Sequence, residues 1–187
     1  MRNLRIAQRI ALLVIVLVLV VLATISVIAA GAVRGASERV LESNLRGQAE
    51  LVEQLIEELS TKGLQVATVF AELEAVRAAY RNPDPEAGRR QLAEEVDPIA
   101  RALARAAGVE NYRVHFHVAP ATSFYRTWTD RAGDDLSGFR STILQVETTE
   151  EPLQAVELGR GGFVIRGIAP IRDGTRLLGS VEVYFQP

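Results

Sequence analysis

An uninterrupted apolar run near the N-terminus limits what this chain can fold into more than any other feature. From Ile10 to Val33 there is no charged residue, and most positions are Leu, Val, Ile or Ala. A hydrocarbon core about 30 Å thick is crossed by about 20 apolar residues rising 1.5 Å each, so this run is long enough to span a bilayer as a helix. Arg2, Arg5 and Arg9 precede the run, whereas Arg34 and Arg39 beyond it are diluted by Glu38 and Glu42. The bias of basic residues toward the cytoplasm then places the N-terminus inside and everything after Val33 outside. Ala30-Gly31-Ala32 has the small-residue spacing of a signal-peptide cleavage site. Signal apolar segments are only about 7–15 residues long, however, so a retained anchor is the expectation. The expected location is the cell inner membrane, single-pass, with the N-terminus cytoplasmic and the remainder periplasmic or extracellular.

Composition narrows the functional classes. The 187 residues leave room for an anchor and one domain of ordinary size. A net charge of -2 with no basic run gives no support for nucleic-acid binding. The absence of cysteine excludes disulfides, thiol catalysis, covalent c-type haem and thiolate metal sites. No Gly-x-Ser-x-Gly elbow or His-Glu-x-x-His helix is present, so the expectation is no enzyme and no cofactor.

The organisation beyond the anchor changes from helical to extended periodicity. Leu41, Leu45, Val52, Leu55 and Leu59 share one helix face, and Val66, Val69, Phe70, Leu73 and Val76 resume the stripe after a possible loosening at Thr61-Lys62-Gly63. One long helix is therefore expected from Ser37 to about Tyr80, paired with a copy of itself or packed on its own domain. Asp84-Pro85 is a cap-plus-proline start for a second helix, Asp97-Pro98 repeats it as an expected restart or kink, and Gly108 is placed to end it. Tyr112–Val118, Ser123–Trp128, Leu153–Leu158, Phe163–Ile171 and Leu177–Phe185 read as strands, the last two joined at Asp173-Gly174. Phe139, Ile143 and Val146 suit a short helix with Ser137 as its cap, the aspartates before it favouring the helix dipole. The fold class is α+β: a membrane helix continuing into a long helix packed on a PAS-like antiparallel sheet. The boundaries are 1–9 for the cytoplasmic N-terminus, 10–33 for the membrane span, 34–110 for the helical stalk and helical part, and 111–187 for the sheet module.

The polar chemistry concentrates between His115 and Arg140. Arg126 and Trp128 are two apart, so on a strand they share a face. An arginine fork beside an aromatic wall suits a carboxylate on a small organic body, and a structural arginine paired with Asp134 or Asp135 is the alternative. His115 and His117 also share a face, which is how a two-histidine metal site begins. A metal needs another carboxylate or histidine, for which Asp134 or Asp135 could serve. The pair is read instead as pocket polarity or a sheet hydrogen-bond network, with no metal assigned. Asp134 could meet a ligand amine, and Asp135 serves the helix start. Arg140 sits where a cation is unfavourable beside a helix N-terminus, so an anion or an acidic side chain is its expected partner. Arg166 alternates either into the pocket or outward to a salt bridge. The ligand-binding candidates are Arg126, Trp128, His115, His117, Tyr125, Asp134, Arg140 and Arg166.

The element order and the runs His115-Phe116-His117, Ser123-Phe124-Tyr125-Arg126-Thr127-Trp128, Gly133-Asp134-Asp135-Leu136-Ser137-Gly138-Phe139-Arg140, Gly159-Arg160-Gly161-Gly162 and Arg166-Gly167-Ile168-Ala169-Pro170-Ile171 resemble the extracellular Cache sensor domains of bacterial chemoreceptors, sensor kinases and diguanylate cyclases, especially the double Cache sensory subfamily. The resemblance covers the anchor through Val183. It implies a parallel homodimer that binds a small molecule between sheet and loops and does no catalysis. Amino-acid-binding members follow an Arg-x-Trp pair with Tyr, where this chain has Thr129, so the resemblance implies a carboxylate more than an amino acid. Such domains normally continue into a second membrane helix and a cytoplasmic signalling module, which the sequence to Pro187 does not contain. The expected function is a membrane-anchored extracytoplasmic sensor of chemotaxis or two-component type reading a small carboxylate or other small polar molecule. The alternative is a membrane-anchored scaffold or accessory subunit with no working pocket.

Overall fold

The computed structural model describes residues 2–107, 112–159 and 162–185; Gly108 and the Arg160-Gly161 pair lie outside them. Two compact units divide the chain, Met1–Glu53 and Gln54–Pro187. Helix α1 runs from Arg2 to Glu72, followed by α2 (Glu74–Arg81) and α3 (Pro85–Ala107). Then come β1 (Arg113–Val118), β2 (Thr122–Arg126), α4 (Ser141–Thr149), β3 (Leu153–Gly159), β4 (Gly162–Asp173) and β5 (Arg176–Phe185). All neighbouring strands are antiparallel in the order β2-β1-β5-β4-β3.

In the first unit, Gln8–Ala32 is a helical stretch of 25 residues with a mean hydropathy of 3.3, long and apolar enough to cross a membrane. Leu41, Leu45 and Val52 are exposed, as is Leu55 just inside the second unit.

The second unit places its sheet between two apolar layers of unequal size. Val114, Phe116, Val181 and Val183 alternate onto one face and pack with Ala67, Phe70, Val76, Leu92 and Val96 from the helices. The opposite face carries a smaller cluster of Ile168, Ala121, Leu136, Ile143 and Val146 beneath α4. Helix α1 is uninterrupted at Thr61-Lys62-Gly63. Gly63 serves close packing instead of loosening the helix. A Cβ on Gly167 of β4 would lie 2.0 Å from the Leu64 nitrogen, so helix and strand meet backbone to backbone.

Four local expectations are corrected. The single helix to Tyr80 breaks at Leu73 (φ -68°, ψ 128°), where the Arg77 guanidinium donates to the Glu72 carbonyl at 2.8 Å. Helix α3 passes through Pro98 without restarting; Asp97 caps nothing and instead accepts the Tyr125 hydroxyl at 2.6 Å. Asp84 does cap α3, its Oδ1 accepting the Glu86 amide at 2.9 Å. Helix α4 begins at Ser141, because Phe139 and Arg140 donate their amides to the Leu136 carbonyl in a preceding turn, and Ser137 caps no helix. The β4–β5 hairpin pairs Asp173 with Arg176, so its central residues are Gly174 and Thr175, with Gly174 supplying the positive φ of 61°.

Candidate functional site: a buried charged cluster on the inner face of the sheet

Register decides which polar groups meet. His115 lies opposite Glu182 on β5 and Arg126 on β2, and His117 lies opposite Ser180 and Ser123. Directly paired residues project to the same face of an antiparallel ladder, and so do residues two apart along a strand. Both histidines, Ser123, Ser180, Glu182, Arg126 and Arg166 therefore converge on the face beneath α4. A bulge between Phe116 and His117 resets the register, which is why Arg126 faces His115 while Ser123, three residues earlier, faces His117.

Glu182 is the hub. Its side chain is fully buried within a strand whose neighbours Val181 and Val183 belong to the main core. Oε2 accepts from Arg166 at 2.9 Å and from Arg140. Oε1 lies 3.0 Å from His115 Nδ1 and 3.6 Å from His117 Nε2. His115 Nε2 lies 2.9 Å from the Ser123 hydroxyl, and His117 Nδ1 lies 3.1 Å from the Ser180 hydroxyl, which donates to Glu147 of α4 at 3.1 Å. Glu147 also accepts the Ala121 amide at 2.7 Å, tying α4 to the turn between β1 and β2. Glu157 on β3 lies 3.3 Å from Arg166 and forms the outer edge of the cluster.

An unpaired carboxylate at this depth would be costly, and its partners determine its state. Burial pushes the Glu182 carboxyl up, but the Arg140 guanidinium and the His115 hydrogen bond together hold it well below the usual carboxylate range. Burial, reinforced by neighbouring His117, pulls His115 down to about 3 against the opposing effect of Glu182. The His115 imidazole is thus neutral at physiological pH.

Seven of the eight candidate residues gather on or beside this face. Trp128 lies just past the end of β2, its ring edge-on to His115 at 5.6 Å and to Tyr184 at 5.4 Å. Arg126 donates to Asp134 Oδ2 at 2.8 Å and to the Arg131 carbonyl at 2.6 Å, the acidic pairing weighed in the sequence. The Arg126 hydrogen bond, aided by Arg131, holds the Asp134 carboxyl below its ordinary range against the opposing effect of burial. Asp135 accepts the Ser137 amide at 2.9 Å and orders the loop. Arg140 finds its acidic partner in Glu182, and Arg166 points inward. Tyr125 does not join them: it lies on the opposite face against Phe116 and α3. Sequence reasoning missed Glu182, Ser180, Ser123, Glu147 and Glu157. A glutamate alternating with valines looks like the solvated side of a strand, and only the strand order puts it opposite His115.

A long N-terminal helix on a five-stranded antiparallel sheet of this order, with a charged cluster under a short helix and loop, defines a PAS-like sensory fold of the Cache type. Residues 38–186 match the family model described as the double sensory domain of two-component sensor kinases, and the chain belongs to that family. The sensor domain of Escherichia coli DcuS is similar at 18% identity, covering 70% of this chain and 90% of that one, with a TM-score of 0.51. The sensor domain of the Vibrio cholerae histidine kinase DctB is similar at 12% identity and a TM-score of 0.50; the match covers 74% of this chain and 57% of that one. At these identities the likeness speaks for the fold. No curated protein sequence matches the chain.

Proposed function

We propose that this chain is a membrane-anchored, extracytoplasmic ligand-binding sensor of a bacterial signal-transduction receptor, of chemotaxis or two-component type, reading a small carboxylate or another small polar molecule. The observation that carries this reading is the convergence of Arg126, Arg140, Arg166, His115 and His117 on one buried sheet face. Charge-assisted bonds in such a water-poor setting are stronger than at a surface. Arg126, on the edge strand, is the reader: its partner Asp134 belongs to a loop, and a ligand carboxylate takes the place of Asp134. The apolar stretch Gln8–Ala32 supports a single-pass anchor, and the arginines before it support a cytoplasmic N-terminus. Helix α1, unbroken from Arg2 to Glu72, is the element through which a binding event becomes a small displacement or rotation. The exposed Leu41, Leu45 and Val52 support pairing with a second copy in a parallel homodimer.

The second reading, a scaffold without a working pocket, is favoured by one observation: Glu182 and Asp134 already neutralise the arginines. A thermal-shift screen of the full chain in nanodiscs against small carboxylates, amino acids and amines decides between them. A carboxylate raises the midpoint in the parent chain and not in Arg126→Ala if the sensor reading holds. No shift with any compound favours the scaffold.

A further inference from the structure

The buried cluster contains one contact that the protein's own protons do not complete. His117 Nε2 is buried and makes no hydrogen bond, yet it points at Glu182 Oε1 from 3.6 Å. Its tautomer follows from the chain of groups behind it. Both oxygens of Glu147 accept, one from the Ala121 amide and one from the Ser180 hydroxyl. With its proton committed to Glu147, Ser180 Oγ can only accept from His117, which puts the imidazole proton on Nδ1. Nε2, on the other side of the ring, is then the position left to coordinate, and it is directed at a carboxylate oxygen. A metal cation held between that nitrogen and the carboxylate oxygen would engage both in a dry setting.

His115 supplies the third donor. Its Nδ1 lies 3.0 Å from the same Glu182 Oε1, while Nε2 has the Ser123 hydroxyl at 2.9 Å to receive a proton. One nitrogen from each histidine and a Glu182 oxygen lie within 4.8 Å of one another. Ligand atoms about 2.0–2.1 Å from a tetrahedral zinc ion sit ~3.3 Å apart, and the two distances to Oε1 lie on either side of that value. Each donor is also held from behind, as metal ligands generally are. Ser123 backs His115, Ser180 and Glu147 back His117, and Arg140 and Arg166 grip the far oxygen of Glu182, leaving Oε1 directed at the histidines. The two guanidiniums oppose a second positive charge nearby, and Glu182, Glu157 and Glu147 offset them.

We propose that His115 Nδ1, His117 Nε2 and Glu182 Oε1 form a binding site for a divalent transition-metal ion of the zinc type, with a remaining coordination position open to water or a small anionic ligand. Two imidazoles and one carboxylate suit this class and not calcium or magnesium, which take oxygen ligands. The sequence assigned no metal because only Asp134 or Asp135 was in view as a third ligand; strand order supplies Glu182 instead. The site is independent of whether Arg126 reads a carboxylate.

The test is metal binding by the full chain in nanodiscs after chelator treatment, using zinc with a competing chromophoric chelator and cobalt(II) for its visible spectrum. The expected result is one metal per chain, an intense low-coordinate cobalt spectrum and a raised unfolding midpoint with zinc. His117→Ala abolishes uptake. Ser180→Ala, which removes no ligand, weakens it by about 10–100-fold. Arg126→Ala retains uptake, so loss of carboxylate binding and loss of metal binding are read separately. Absence of uptake by the parent chain, or uptake unchanged in His117→Ala, overturns the proposal. If His117→Ala fails to fold, the Ser180→Ala affinity and the nitrogen ligation read from the cobalt spectrum decide the matter in the same way.

Discussion

Removing the Glu182 carboxylate is the most demanding perturbation of this fold. In Glu182→Ala, the guanidiniums of Arg140 and Arg166 lose the anion they share, and His115 Nδ1 loses its acceptor. Deleting one partner of a buried ion pair costs about 3–5 kcal/mol, because the remaining charge stays desolvated. Glu157 lies 3.3 Å from Arg166 and compensates in part, which places the expected loss in the lower half of that range. For a domain of this size each kcal/mol moves the melting midpoint by roughly 3–4 °C, so a fall of roughly 10–15 °C is expected. The assay is unfolding of the full chain in detergent with EDTA present, followed by fluorescence of Trp128, the only tryptophan. The vacated space is flanked by two guanidiniums, so millimolar formate or acetate restores part of the loss in Glu182→Ala, a larger shift than it gives the parent chain. A loss below about 1 kcal/mol with no carboxylate rescue would refute the claim that Glu182 is the electrostatic hub.

Three further outcomes follow from the same geometry. Asp134→Asn releases Arg126 from its loop partner, so any carboxylate that stabilises the parent chain binds this variant several-fold tighter in a thermal-shift titration; weaker binding argues against exchange of Asp134 for ligand. Acid destabilises the metal-free protein. His115 titrates near 3 when folded against 6.5 as a free imidazole, so the unfolded state binds the extra proton and stability is lost as pH falls from about 6.5 toward 3. Glu182, held low in the fold, adds to that loss through the carboxylate range, and denaturant midpoints that stay level between pH 7 and pH 4 contradict this account. Because the chain has no cysteine, single Cys substitutions at Leu41, Leu45 and Val52 report on helix pairing alone. Disulfides between chains form in membranes at these positions if α1 is paired in parallel, and an absence of crosslinks at all three rejects the dimer.

Much of the fold was legible because its signals are local. The charge-free run, the Asp84-Pro85 start, the alternating strands and the Gly174 hairpin each depend on a few neighbouring residues. The failures lie where side-chain or turn contacts override a periodic pattern. Apolar periodicity runs straight through Leu73, where the chain turns extended while the Arg77 guanidinium takes up the Glu72 carbonyl. Pro98 carries a strong break signal, yet the helix passes through it, and Asp97 takes the Tyr125 hydroxyl instead of capping a new turn. The site divides in the same way. Strand parity put His115 beside His117, whereas Trp128 lies past the end of β2 and reaches His115 from the turn. Tyr125 was placed wrongly because it is one residue out of phase with Arg126. Glu182 was invisible because its partners lie on β1, β4 and the residue before α4, and only strand order brings them together.

The proposed sensing of small ions or molecules takes place at the buried polar face around His115, His117 and Glu182. Trp128 tests this directly, since its ring lies 5.6 Å from the His115 ring. Fluorescence titrations of the full chain in nanodiscs with zinc and with a panel of small carboxylates should show at least one saturable change in Trp128 emission that disappears in His115→Ala. Flat emission across the whole panel, or a change that persists unaltered in His115→Ala, would contradict it.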